Sequence, residues 1–125
     1  MRWRAIFVCA VLLGGAVLLD PAAGQAHAFL RRAAPGVGAT VHAAPDNLRL
    51  WFTEQLEIPL CRVEVVYSDG HSVLAGKLRM APHNRKELIA PLKKSLPTGR
   101  YRVQWKAVST DRHVTHGNFM FKLTN

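Results

Sequence analysis

The 125-residue chain carries 17 Lys and Arg against 8 Asp and Glu, a formal charge of +9, and 49% of its residues are hydrophobic. That length is at most one domain plus a processing segment. The basic residues are scattered as "RR", "RK" and "KK" at separate turns, with no aromatic interleaving and no nucleic-acid motif; this argues against nucleic acid and leaves solubility, or attraction to an anionic membrane or partner.

In chain order the first feature is a leader. Arg2 and Arg4 precede an apolar core from Ala5 to Leu19, and Asp20 with Pro21 ends it before the small-residue tail "AAGQA". This pattern predicts a secretory signal over residues 1–26, cleaved after Ala26, and a mature domain over residues 27–125 that begins with His27. The apolar run is shorter than the roughly 17 to 25 residues of a spanning helix, which argues against a retained anchor. Cys9 lacks a lipidation context. The 99 residues that follow hold 15 basic and 7 acidic side chains. They suffice for one small core, though not for a deep catalytic cleft as well, so no enzyme is expected. Cys61 is the one cysteine after the leader, which excludes an internal disulfide. Its alternation with Val63 and Val65 predicts a buried thiol rather than a ligand.

The remaining segments read as strands and turns. "NLRLWFT" (Asn47 to Thr53) alternates Leu48, Leu50 and Phe52 against polar positions and Trp51, and "CRVEVVY" does the same before the turn Ser68 to Gly70. A strand "HSVLAGKLRM", a loop "APHNRK", a short strand "ELIAPL" and a turn "SLPTG" follow. "RYRVQWKAVS" places Tyr101, Val103 and Trp105 on one side, and "GNFMFKLT" sets Phe119 and Phe121 opposite Met120. The fold expected is all-β, a two-sheet sandwich of seven to nine antiparallel strands.

Candidate chemistry lies at His27 and in "STDRHVTH". On an extended segment Asp111 and His113 share a face and can approach one metal ion, whereas His116 faces elsewhere unless the loop turns. By itself the pair is also compatible with a turn-capping Asp beside a solvated His. An N-terminal His27 changes this, because its α-amine and ring Nδ1 close a six-membered chelate. His113 would complete a three-nitrogen set suited to tetragonal Cu(II), and Asp111 would add an oxygen.

The segments "HAFL", "AAPGVGATVHAAPDNLRLWFTE", "YSDG", "LPTGRYRVQWKAVSTDRH" and "GNFMFKL" span nearly all of residues 27–125. In them the chain resembles the CopC family of periplasmic copper-binding proteins. It implies an Ig-like Greek-key β-sandwich that binds one Cu(II) per chain through His27, Asp111 and His113, with Glu54 as an outer or axial group. It further implies a role in copper homeostasis or resistance in the periplasm, beside a separate inner-membrane partner of the CopD type. Arg112 departs from the glycine common between the Asp and the His, and His116 stands where small polar residues are usual. With only Met80 and Met120 after the leader, the methionine-rich Cu(I) site of some members is expected to be missing. The alternatives are a metal-free Ig-like interaction module and a histidine-brace copper oxidase, for which short connections leave no substrate surface.

Overall fold

The protein was analysed as a computed structural model, which describes residues 28–125. The expected leader and His27 lie outside the described residues. Eight strands form two four-stranded sheets. One has the order β1 (Leu30–Ala34), β3 (Asn47–Phe52), β6 (Asn84–Pro91), β5 (Arg79–Ala81). The other has the order β2 (Thr40–Val41), β8 (Val114–Leu123), β7 (Gly99–Val108), β4 (Arg62–Tyr67). All pairings are antiparallel except the short parallel contact of β2 with β8.

The alternation along β3, β4, β7 and β8 decides which faces meet. Leu48, Leu50 and Phe52 from one sheet are buried against Val63, Val65, Tyr101, Val103, Phe119 and Phe121 from the other. Tyr101 stacks on Phe121 with centroids 5.0 Å apart, and Trp105 meets Phe52 edge-on at 5.2 Å. Trp105 can lie there because its cross-strand partner is Gly117, where a Cβ would come within 2.3 Å of the indole. Gly117 is therefore a mid-strand position of close approach and not, as read from sequence, the start of the last strand.

Other departures are local. β1 and β2 lie outside the segments read as strands. "HSVLAGKLRM" is mostly irregular: single bridges tie Ser72 to Val66 and Leu74 to Leu92, and a strand forms only from Arg79. Its apolar residues turn inward without a continuous partner strand. The expected loop "APHNRK" is a tight turn at Pro82 and His83, with Asn84 already in β6.

Candidate metal centre

Strands β7 and β8 are joined by Ser109 to His113. The Arg112 amide donates to the Ser109 carbonyl at 2.9 Å, and the Ser109 amide donates to the His113 carbonyl at 3.0 Å. Arg112 takes φ = 71°. This is a three-residue hairpin loop, a turn followed by a left-handed residue. Its curl, and not the alternation of an extended segment, brings the side chains of Asp111 and His113 together: His113 Nδ1 lies 3.0 Å from Asp111 Oδ2. Both are about half-exposed.

Two further contacts fix the pair. The buried Ser109 hydroxyl donates to Asp111 Oδ1, and with the His113 hydrogen bond this holds the Asp111 carboxyl below the usual carboxylate range. When Nδ1–H of a neutral His113 donates to Asp111, the ring's lone pair sits on Nε2. The loop itself is braced by Thr110, whose amide donates to the Gln55 carbonyl at 3.0 Å, and by the Leu56–Ser109 bridge.

Left-handed backbone costs a residue with a Cβ roughly 1–2 kcal/mol, and glycine offsets part of that gain by losing roughly 0.5–1 kcal/mol more entropy on folding. Arg112→Gly is therefore expected to raise unfolding stability by up to about 1 kcal/mol, measured by urea denaturation of the copper-free protein. A drop of about 1 kcal/mol instead would mean that the Arg112 side chain supports the loop.

The chain enters the fold beside this loop. The Thr115 hydroxyl donates to the carbonyl of Ala28 at 2.6 Å. The Phe29 amide donates to Thr53 Oγ1 at 2.9 Å, and the Thr53 amide donates back to the Phe29 carbonyl at 2.9 Å. Ala28 is fully buried. Two threonines, one at the end of β3 and one near the start of β8, thus clamp residues 28 and 29 between the sheets, next to His113. The described chain thus begins beside the β7–β8 hairpin that carries Asp111 and His113. Sequence reasoning missed Ser109, Thr53 and Thr115. A signal existed for Thr115, a hydroxyl in the inward phase of Phe119 and Phe121.

Among the described residues no three His, Cys, Asp or Glu side chains cluster to hold a metal, so the Asp111–His113 pair needs a ligand from elsewhere to make a three-residue site. His116 does not provide it. It points outward from β8 in register with Lys106. Glu54 is half-buried in the segment after β3 and forms no ion pair among the described residues. The soft atoms are dispersed: Met80 is on β5, Met120 on the outer face of β8, and Cys61 is buried before β4.

The Asp–x–His loop occurs twice. From Tyr67 to His71 the Gly70 amide donates to the Tyr67 carbonyl, the Tyr67 amide donates to the His71 carbonyl, and His71 Nδ1 lies 2.8 Å from Asp69 Oδ2. That copy sits at the other end of the sandwich, where the His71 side chain is 85% exposed. What sets Asp111 and His113 apart is the clamped chain entry beside them.

Residues 30–124 match the CopC domain. The chain belongs to the CopC family. Copper resistance protein C of Escherichia coli is 31% identical over 118 residues, covering 90% of this chain and 93% of that one. Copper transport protein CutJ of Bacillus subtilis is 31% identical over 103 residues, which are 82% of this chain and 19% of CutJ. The crystal structure of CopC from Methylosinus trichosporium OB3b superposes with a TM-score of 0.71 at 26% identity, covering 78% of this chain and 93% of that one. PcoC, a methionine-rich copper resistance protein of Escherichia coli, gives 0.70 at 28% identity, with 79% and 100% covered. The CopC sandwich expected from the residues is thus the fold, and the family is one of copper-handling proteins, not enzymes.

Proposed function

We propose that the chain binds one Cu(II) through the α-amine and ring of an N-terminal His27 together with Asp111 and His113, and that it buffers or carries copper in the periplasm, handing it to an inner-membrane transporter of the CopD type. The observation that supports this reading is the Thr53–Thr115 clamp, which holds Ala28 and Phe29 beside the β7–β8 hairpin that carries Asp111 and His113. A nitrogen-rich set with one carboxylate suits Cu(II), and the dispersal of Cys61, Met80 and Met120 offers no soft cluster for Cu(I). Each Asp111 oxygen has two lone pairs, one of which is used by Ser109 or His113. In this arrangement the carboxylate orients the imidazole from the Nδ1 side, a support that metal-bound histidines commonly have, and it ligates the ion itself once it exchanges that hydrogen bond for the metal.

Copper titration of two single variants tests the assignment. His113→Ala is expected to abolish the tetragonal Cu(II) spectrum and weaken binding by at least about tenfold, the lower end of what loss of even a supporting ligand contact causes. His116→Ala is expected to leave both unchanged, since His116 points away. The reverse order of damage overturns the assignment. Protons compete with the metal for the proposed nitrogen ligands, so copper affinity is expected to fall as the pH is lowered, with Asp111, whose hydrogen bonds hold its carboxyl below the usual carboxylate range, the last group to protonate; an affinity that stays flat between about pH 8 and pH 5 overturns the ligand set.

A further inference from the structure

We propose that the outer face of the β2–β8–β7–β4 sheet docks on the surface of an anionic lipid bilayer. The face carries Arg62, Arg100, Arg102, Lys106 and Lys122 against the single acid Glu64. Strand register makes the arrangement costly: Arg62 lies opposite Lys106, and Arg100 opposite Lys122. Like charges directly across a ladder destabilise a sheet, so folding alone gives no reason to place them there. A counter-charge from outside the molecule would offset the repulsion.

On the other sheet Arg31, Arg79, Arg85 and Lys86 likewise pair with no carboxylate among the described residues, but two cations are partnered. There Arg32 lies over the Trp51 ring at 3.9 Å, and Arg49 pairs with Glu87 at 2.9 Å. Among the described residues no cation of the first face pairs with a carboxylate, and Arg62 donates to the Cys61 and Pro59 carbonyls. Arg62 and Lys106, with Glu64, Gln104 and His116, line a groove at one end of the face, and Arg100, Arg102 and Lys122 continue the array beyond it along β7 and β8. From Arg100 to Lys106 the array extends about 20 Å at the usual rise of a strand, with neighbours closer than the Debye length of about 10 Å at 0.1 M salt. What it matches is an extended sheet of negative charge, and each such Lys or Arg adds to attraction at an anionic membrane. Lys106 is two residues before the end of β7, so a protein lying on this face holds the Asp111–His113 loop at the edge of the bilayer contact.

The test uses the copper-free protein, so its outcome does not depend on the copper site. Vesicles of phosphatidylglycerol mixed with phosphatidylcholine, and of phosphatidylcholine alone, are floated with the protein in about 0.1 M salt. The protein is expected to float with the first and not the second. The triple variant Arg100→Gln, Arg102→Gln, Lys106→Gln is expected to lose at least about tenfold of this partition, while Arg79→Gln, Lys86→Gln, Lys94→Gln, with the same change in net charge, loses under about threefold. Thermal melting of the first triple variant, expected to be unchanged or raised as like charges are removed, checks that it folds. Equal losses in the two variants, or no binding to the anionic vesicles, overturn the proposal. So does binding of soluble polyglutamate through the same residues as strongly as the vesicles, which would point to an acidic protein.

Discussion

A protein with one extra residue ahead of His27 is expected to hold Cu(II) at least about two orders of magnitude more weakly than one that starts at His27, a loss of roughly 2.7 kcal/mol or more. The extra residue turns the α-amine into an amide, whose nitrogen lone pair is delocalised into the carbonyl. Losing the amine opens the six-membered chelate ring, and the imidazole must then bind as a single ligand. The clamp at Ala28 and Phe29 lies after the change and should survive it, because Thr53 and Thr115 hold main-chain atoms of residues 28 and 29. The copper-free melting temperatures of the two proteins should therefore agree. Competition against a chelator of known strength measures the affinities, and equal values would remove His27 from the ligand set and leave the Asp111–His113 pair to be completed by some other group.

Phe52→Ala is expected to remove about 3–5 kcal/mol of stability, as large-to-small changes of buried aromatics do. Phe52 is 2% exposed, its ring supports Trp105 edge-on, and its backbone pairs with Leu30 of β1. Truncation thus leaves a cavity where the two sheets meet and withdraws the surface on which Trp105 lies across Gly117. Against a typical total of about 5–15 kcal/mol, the loss should move the urea midpoint far down, with the slope retained. A change under about 1 kcal/mol would mean that the neighbouring side chains collapse into the space. Thr53 follows directly, so the same variant is also expected to loosen the entry of the chain at residues 28 and 29.

Period-two alternation made β3, β4, β7 and β8 legible, because each has one face in the core. β1 was not legible: "LRRAA" has no β-branched or aromatic residue, and it is extended because β3 offers it hydrogen-bond partners at the sheet edge. β2, two residues long, is likewise a product of its parallel contact with β8. At the site, the nearness of Asp111 and His113 was legible but its cause was not. A left-handed Arg112 is hard to foresee, since the residue itself favours no such conformation. The threonine clamp joins residues far apart in sequence, and neither local pattern nor composition encodes that. The duplicate loop at Asp69 and His71 shows how little the Asp–x–His spacing decides without that tertiary company.

Cys61 has a consequence for a protein that belongs to a copper-handling family. Cupric ion oxidises accessible thiolates, and the reactive species is the thiolate rather than the thiol. Here the sulfur is 1% exposed and donates to the Glu57 carbonyl at 3.3 Å, and burial pushes its pKa up. Both effects suppress the thiolate, so the fold keeps Cys61 chemically silent toward the metal. Such a chain can meet repeated exposure to copper without cross-linking to its neighbours or climbing the oxidation ladder of sulfur.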